Sequence, residues 1–337
     1  MSLNIPDNPA PTGYVPRPAD YTSAIEKATL LLSELRASSE WEDAGEREEV
    51  KLTKIVDPAD PYAVPTTRGE TIVENATPAK VLAALMLPGI RKKWDPRLEE
   101  GYPIARFSQS SYELYSVMKS PSYFIWARDI AAVQESHWKD GNVEMIQVSV
   151  TDEENLPDAG SYAKSRTRAT VDISGWNIEQ DGDNVKLSYI VKVHLNGNIP
   201  TSVVSMLAQE TPMCVGRVRD VFYQHGFVPY EVMSGHSKGE YPDHKVVSVT
   251  QVFEDGDGTE ATAGARKWTG SYRGAEPDTI HIAYDGERMY KDGVNVTIGG
   301  EGASAVSSSV DEAKSIISVT VGAEAKDKDF TVTVEPK

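Results

Sequence analysis

The side chains that most often carry out catalysis are few and widely spaced in this chain. Cys214 is the single cysteine, and no histidine lies near it in the sequence, so a Cys–His nucleophile is not indicated. Two of the six histidines, His236 and His244, stand eight residues apart in a polar segment, which is not a spacing typical of zinc ligands. The sequence contains neither a Gly-x-Ser-x-Gly elbow nor a phosphate-binding loop. We therefore expect a protein that is not an enzyme and that uses neither a metal nor a cofactor.

Three polar residues within strand-like segments are better suited to hold a ligand than to transform one. Tyr115, Gln134 and Tyr189 could line an internal cavity and hydrogen-bond a ligand through hydroxyl or amide groups. The alternative is structural, because a buried tyrosine hydroxyl needs a hydrogen-bond partner in any fold. The residue types leave both interpretations open.

The segment 120-SPSYFIWARDIAA-132 places large apolar residues where the flanking sequence indicates a loop. Phe124 and Trp126 could form the apolar tip of a lid that closes a tunnel and touches a membrane. They could equally be core residues at the entry to a strand. Arg128 and Asp129 could contact a ligand head group, although such a pair more often fixes the start of a strand.

Two helices can be placed from capping signals. Ser23 and Glu26 have the spacing of a capping box and predict a first helix with Ser23 as its N-cap. Thr77 as N-cap, followed by Pro78, predicts a second helix. The dipeptide at 88–89, Pro-Gly, is expected to end that second helix.

From Tyr102 onward the apolar period changes to two, which is typical of β-strands. Residues 112–119 alternate, with Tyr112, Leu114 and Met118 on one face. Residues 143–150 are apolar on both faces and predict a buried strand that contains Val148. Residues 185–195 alternate between apolar positions and lysine or histidine, which predicts one long half-buried strand.

A final helix with Thr201 or Ser202 as its N-cap is predicted to run to about residue 223, after a turn at 197–200. Val203, Leu207 and Cys214 lie on its apolar face. They must be buried in any fold, and we expect them to contact a ligand if a cavity lies beneath the helix.

The final helix is expected to bend. Pro212 removes one backbone hydrogen bond from the helix interior, and Gly216 loosens the same region. These two residues predict a bend near residues 210–216.

Charge and composition exclude several classes of protein. The chain has 337 residues and a formal net charge of −17, which argues against nucleic-acid binding and against strong electrostatic attraction to anionic lipid. A single cysteine leaves no internal disulfide framework and fits a reducing compartment. The N-terminus lacks the features of a signal peptide, and the longest apolar run, 81–87, is too short to cross a bilayer. We expect a cytoplasmic protein that can also be peripheral on membranes.

Changes in composition and in residue pattern divide the chain into three parts. Residues 1–19 are rich in proline and polar residues and predict a disordered arm. Residues 20–231 mix helical and strand patterns. Residues 232–337 consist of short alternating runs separated by Asp/Gly turns, which predict a small antiparallel β-sandwich as a separate domain.

Several short motifs follow one another on these elements in a recognisable order. They are Trp94-Asp95, Arg128-Asp129, Val148-Ser149-Val150 with Leu156-Pro157, Ser174-Gly175-Trp176, and Leu195-Asn196-Gly197-Asn198-Ile199-Pro200. Together they resemble a START domain, the StAR-related lipid-transfer fold, over residues 20–228. We recognise no family for residues 232–337.

The resemblance implies an α+β helix-grip fold, in which a curved antiparallel sheet wraps a long C-terminal helix around a cavity for one lipid. It implies that the loop before Arg128 and the final helix cover this cavity, and that a typical member has no catalytic chemistry. Sterol-binding members tend to carry a buried acid–base pair beside that loop. The family spacing places this pair at Tyr115 and Gln134, and neither residue is charged. The ligand class therefore stays open among sterols, phospholipids and other long-chain molecules.

The first hypothesis is non-catalytic binding of a lipid and its transfer between membranes, with transient contact between the protein and the membrane surface. A second hypothesis is a cyclase or hydrolase that uses the same cavity, for which Asp129 or Glu113 would have to act as acid or base. A third is an adaptor, in which the β-sandwich binds a partner protein and the lipid site acts as a sensor.

Overall fold

The computed structural model describes residues 11–60, 63–120, 125–151, 166–237, 240–255 and 266–337. Its helices are α1 (Ala19–Ala37), α2 (Pro78–Leu85), α3 (Pro88–Trp94), α4 (Thr201–Glu210), α5 (Cys214–His225) and the short α6 (Ser234–Ser237). Within this part of the chain, no helix combines the length and the apolar character needed to span a membrane.

The first domain is built on a ten-stranded sheet. Its strands are β1 (Glu42–Arg47), β2 (Val50–Ile55), β3 (Thr66–Val73), β4 (Leu98–Arg106), β5 (Ser111–Met118), β6 (Ala127–Lys139), β7 (Asn142–Ser149), β8 (Arg166–Arg168), β9 (Thr170–Asp181) and β10 (Asn184–His194). Their order is β1-β2-β3-β10-β9-β7-β6-β5-β4, and the short β8 runs parallel to β6 while the other pairs are antiparallel. This large antiparallel sheet with few helices confirms the predicted α+β fold.

Helix α1 covers one face of the sheet, which we call the outer face. Four residues along the helix, Tyr21, Ile25, Ala28 and Leu32, form one apolar cluster with Val133, Ile146, Val148, Ile173 and Ile190 of the sheet. The approach is close at Gly175, where an added Cβ would lie 2.6 Å from a Leu32 methyl group. A side chain at position 175 would therefore push α1 off the sheet.

Helices α2, α3 and α5 cover the opposite face, which we call the inner face. Val218 and Phe222 of α5 belong to one core cluster with Val73 and Leu187 of the sheet and with Ile90 of α3. The predicted long strand is confirmed as β10, whose odd-numbered apolar residues point to this inner face. Both faces of the central strands are thus buried, as predicted for residues 143–150.

The helix boundaries differ from two of the sequence predictions. Helix α1 begins at Ala19 instead of after Ser23, because the Pro18 carbonyl already accepts a hydrogen bond from the Thr22 N–H at 3.1 Å. Pro88 does not end the helical region but starts α3, since a proline in the first turn sacrifices no helical hydrogen bond.

The predicted bend in the final helix is confirmed as a break. Helix α4 ends at Glu210 and α5 begins at Cys214, with Pro212 in the turn between them. The predicted N-cap by Thr201 or Ser202 is wrong, because Pro200 occupies that position and its carbonyl accepts the first backbone bonds of α4.

The second domain is a sandwich of two four-stranded antiparallel sheets. Its strands are β11 (Tyr230–Glu231), β12 (Val247–Glu254), β13 (Lys267–Arg273), β14 (Asp278–Ala283), β15 (Val294–Gly299), β16 (Val306–Asp311), β17 (Ile316–Val321) and β18 (Asp329–Pro336). One sheet has the order β11-β14-β17-β16 and the other β12-β13-β18-β15. Strand β11 begins this unit two residues before the predicted boundary at residue 232.

The two domains touch through α3 and β12. An added Cβ at Gly89 would lie 1.9 Å from the Phe253 carbonyl oxygen, so glycine allows the backbones to meet. Lys93 of α3 forms an ion pair with Asp255, which also pairs with Arg266. Helix α3 is therefore fixed on both sides, by the first domain and by the β-sandwich.

Residues 11–18, which belong to the predicted disordered arm, lie across both domains. The Val15 N–H donates to the Arg106 carbonyl at 2.8 Å, and the Tyr14 hydroxyl accepts from the Ser248 N–H at 3.3 Å. Arg17 pairs with Glu135 of β6. These contacts give the segment fixed partners on each domain.

A buried carboxylate, Glu231, forms a second contact between the domains. It accepts hydrogen bonds from Gln109 at 2.6 Å, Ser248 at 2.8 Å, Gln251 at 2.9 Å and His244 at 3.3 Å. Gln109 belongs to the turn between β4 and β5, whereas the other donors belong to the second domain. The carboxylate thus ties that turn to the β-sandwich.

The pair formed by Glu231 and His244 favours the charged form of both groups. Burial alone would raise the pKa of Glu231, but hydrogen bonds and the charge of His244 outweigh it and lower the pKa below the ordinary 4.5. Burial would lower the pKa of His244, but Glu231 outweighs it and raises the pKa above 6.5. The stabilisation from His244 is complete below about pH 6.5 and is lost as the pH rises through its folded pKa. The stabilisation from Glu231 is complete above about pH 4.5 and is lost at lower pH.

We predict that His244→Gln lowers the free energy of unfolding by about 3 kcal/mol at pH 5.5, because it leaves a buried carboxylate without its charged partner. The loss should be smaller at pH 9, because a rising pH removes the proton, and with it the charge, from the wild-type imidazole. Urea unfolding at both pH values measures the difference. Lys245→Gln, which breaks an exposed ion pair with Glu276, is the control and should have little effect. An equal loss from His244→Gln at both pH values would contradict the charged pair.

Candidate functional site

A cavity lies between the inner face of the sheet and the helices α2 to α5. Its empty volume is about 1310 Å³, including the space at its open mouth. Apolar side chains dominate the wall, among them Leu85, Met86, Met118, Ile130, Met145, Val171, Val191, Val193, Leu195 and Leu207. Such a wall offers hydrophobic and dispersion contacts to an apolar molecule.

Three aromatic rings give one side of the cavity a fixed shape. Trp94 meets Trp176 edge to face with 5.5 Å between ring centroids, and Trp176 stacks on Tyr189 at 4.1 Å. The Trp94 indole N–H donates to the Leu85 carbonyl at 3.2 Å, and the Tyr189 hydroxyl lies 3.1 Å from the Ser174 hydroxyl. Each ring therefore has packing or hydrogen-bond partners that hold it in place.

Among the described residues, two carboxylates line the cavity, and both are paired with arginines. Asp95 accepts hydrogen bonds from Arg91 at 2.9 and 3.0 Å, across the four-residue spacing of helix α3. Glu210 accepts from Arg97 at 2.7 and 3.1 Å. Neither carboxylate is therefore a free acid or base.

Cys214 and Arg217 meet on the first turn of α5. Arg217 donates to the backbone carbonyls of Trp94 and Glu210 at 2.8 and 3.0 Å and lies 3.1 Å from the Cys214 sulfur. Burial raises the pKa of the Cys214 thiol to about 11, although the arginine charge opposes this shift. The thiol is thus a small buried group rather than an activated nucleophile.

Arg128 holds together two chain segments that border the cavity. Its guanidinium donates to the carbonyl of Trp126 on its own segment and to those of Leu195 at 3.0 Å and Asn196 at 2.8 Å, beyond the end of β10. The Trp126 side chain beside it is 58% exposed. This favours the structural interpretation of Arg128, as a clamp between backbone segments.

The architecture and the order of these elements agree with one protein family. The family model of the START domain matches residues 24–222, more than half of the chain. The chain belongs to the START family. Residues 223–337 lie outside the matched range.

Two solved human structures are similar to part of this chain. Human StAR-related lipid transfer protein 5 is 18% identical, with a TM-score of 0.53, and the match covers 60% of this chain and 96% of that one. Human STARD10 is 19% identical, with a TM-score of 0.49, and the match covers 62% of this chain and 82% of that one. At such identities the similarity concerns the fold. No curated protein sequence matches the chain.

The START domain brings five of the ten predicted ligand-binding residues to its cavity wall: Arg128, Gln134, Tyr189, Leu207 and Cys214. Membership of the family supports a lipid-binding role for the cavity. Contact between these five residues and a ligand stays a prediction.

The structure corrects the predicted placement of Tyr115, which points to the outer face of the START domain. Its hydroxyl donates to the buried Asp129 at 2.8 Å and accepts from Arg166 at 3.1 Å, and Arg168 pairs with the same Asp129 at 2.9 Å. Burial and the charge of Asp129 both raise the pKa of Tyr115. Because side chains alternate between the two faces along β5, Tyr112 points to the inner face instead, and its hydroxyl accepts a hydrogen bond from the Gln134 amide.

The other four predicted residues also lie away from the cavity wall or beyond the described part of the chain. Val148 packs against α1 on the outer face, because it is one residue away from the inward Gln147. Val203 is half-buried on α4 but outside the lining, since that helix reaches the cavity with Leu207 and Glu210. Trp126 is exposed at the surface. Phe124 lies outside the described residues.

Several lining residues of the START domain were not predicted from the sequence. Arg91 stands four residues before Asp95, a helical ion-pair spacing that could have revealed this pair. Gln147 and Ser174 are polar residues within buried strands, and this mismatch was the available signal for them. Arg217 gave no signal, because its cavity position depends on the break in the final helix.

We predict that Cys214 in the native START domain reacts slowly with a thiol-specific disulfide reagent at pH 8. A rise of its pKa from 9.0 to about 11 lowers the thiolate fraction roughly a hundredfold. Because Cys214 is the single cysteine, absorbance of the released thiol reports on it alone. The same protein in concentrated guanidinium is the control, and equal rates in the two conditions would contradict a buried neutral thiol.

Proposed function

We propose that this START domain binds one lipid molecule in its cavity and carries it between membranes without changing it chemically. The observation that carries the proposal is the apolar cavity enclosed between the inner face of the sheet and a broken final helix. A long apolar chain moves from a bilayer into such a space with little loss of apolar contact. Each methylene exposed to water would cost about 0.8 kcal/mol, so an enclosed carrier is needed.

The uneven burial of the two final helices supports a route into the cavity. Helix α5 buries seven residues, including Val218 and Phe222, whereas none of the residues of α4 is fully buried. Helix α4 is held through partly exposed contacts such as the Arg97–Glu210 ion pair. The break around Pro212 lets α4 move while α5 stays in the core, so we propose that a lipid enters beneath α4.

The positions of the carboxylates support binding without catalysis. Asp129 and Glu113, the acid–base candidates from the sequence, both point to the outer face of the sheet. There Asp129 pairs with Arg168, and Glu113 accepts a hydrogen bond from the Tyr21 hydroxyl at 3.1 Å. The carboxylates that do line the cavity are held by Arg91 and Arg97. Proton transfer from either of these carboxylates to a ligand would first have to break its ion pair.

Trp126 supports transient contact with a membrane surface. Its indole is largely exposed on the segment that Arg128 clamps beside the cavity. An indole is suited to the boundary between lipid and water, because its ring is apolar and its N–H is polar. This contact needs no cluster of positive charge, so it is compatible with the net charge of −17.

A single cysteine fits a cytoplasmic site of action.

We predict that the purified chain carries one lipid molecule that native mass spectrometry detects as a single added mass. Leu207→Trp should lower the occupied fraction severalfold, because it fills the cavity from the loosely packed helix α4. Thermal unfolding checks that this variant folds. A wild-type chain that carries no lipid after purification and accepts none from vesicles would overturn the proposed function.

We predict that Trp126→Asp slows transfer of a fluorescent lipid between vesicles about fivefold or more, because the charged side chain is costly to bring to the bilayer boundary. Binding of the same lipid in solution should be unchanged. Leu30→Asp is the matched control, since Leu30 is 61% exposed on the outer side of α1. Equal transfer rates for wild type and Trp126→Asp would exclude the membrane contact.

A further inference from the structure

One polar row crosses the inner face of the sheet, perpendicular to the strands. Tyr112 of β5, Gln134 of β6, Gln147 of β7 and Ser174 of β9 are direct register partners, each opposite the next. Such neighbours have their Cβ atoms about 5 Å apart and point the same way. The last three line the cavity, where the adjacent wall residues include Met145 and Trp176. The row is thus a narrow polar stripe on an apolar wall.

The members of this row differ in how their hydrogen bonds are satisfied. Gln134 donates to the Tyr112 hydroxyl, and the Ser174 hydroxyl is shared with Tyr189 at 3.1 Å. Gln147 lies between these two pairs, and its side chain makes no hydrogen bond to any residue in the described part of the chain. Only 7% of Gln147 is exposed. The amide opens on the cavity, where a bound molecule can supply a partner.

We infer that the Gln147 amide is the anchor for the polar group of the ligand, and that this group is neutral, namely a hydroxyl or an amide. The inference rests on the proposed function and names the ligand class. A primary amide offers two N–H donors and one carbonyl acceptor. A ligand hydroxyl or amide both donates and accepts, so it satisfies Gln147 from both sides while the apolar body of the ligand lies along the wall.

The charges around the row favour a neutral group over an ionised one. Gln134, Ser174 and Tyr112, which flank Gln147 in the row, are all uncharged. The charge of Arg91 acts on the Tyr112 hydroxyl, but Arg91 is already paired with Asp95. Of the other cations of the wall, Arg97 is paired with Glu210, and Lys119, Arg128 and Arg217 donate to backbone carbonyls. An ionised group at Gln147 would be removed from water among row neighbours that carry no charge, which is more costly than burying a hydroxyl.

The test measures the dissociation constants of three fluorescent probes: a sterol with a free hydroxyl, a ceramide, and a fatty acid that is ionised at pH 7.5. Wild type should bind one of the neutral probes most tightly. Gln147→Leu should weaken that binding about fivefold or more. It should not lower the unfolding temperature, because the amide that it removes makes no hydrogen bond within the described part of the chain. A structural role for Gln147 would instead lower the unfolding temperature and leave the affinity unchanged.

Gln224→Leu is the matched control, since Gln224 is exposed on α5 and the chemical change is the same. It should leave all three constants unchanged. Equal affinity of wild type and Gln147→Leu for the neutral probes, or tightest binding of the fatty acid, would overturn the inference while the proposed lipid binding stands. If wild type binds none of the probes and carries no lipid after purification, the proposed function itself fails.

Discussion

The central strands of the START-domain sheet have to bury both of their faces, and the rest of the structure depends on this constraint. The outer face needs an apolar surface for α1, and the inner face needs one for the cavity and α5. Neighbouring residues on one strand therefore belong to different environments. Val148 packs under a helix while Gln147 faces the cavity, and Tyr115 joins a buried ion network while Tyr112 turns inward.

Much of the fold could be predicted because it rests on local patterns. Alternation along residues 185–195 specified both β10 and its inward face, and Pro212 specified the break in the final helix. Short alternating runs revealed the β-sandwich. The helix starts were less accessible, since a capping box at Ser23 competes with a proline that begins α1 four residues earlier. Such boundaries depend on backbone bonds that residue types alone do not settle.

The site could be predicted only in part, because it depends on pairing between distant strands. Gln134, Tyr189, Leu207 and Cys214 reach the cavity as expected, since their own elements set their direction. The family spacing points to Tyr115, and an offset of one residue along β5 reverses the face of the sheet to which a side chain points. Gln147 lies in a largely apolar run of the sequence. Its place in the polar row depends on the pairing of β7 with β6 and β9, which the sequence alone does not give.

Gly89 lies where helix α3 of the START domain meets strand β12 of the β-sandwich. It lets α3 rest directly on β12, and α3 also supplies Arg91 and Trp94 to the cavity wall. Helix α3 therefore lies between the cavity and the second domain and contacts both. The β-sandwich therefore packs against the helix whose other residues line the cavity, and it contributes no lining side chain among the described residues.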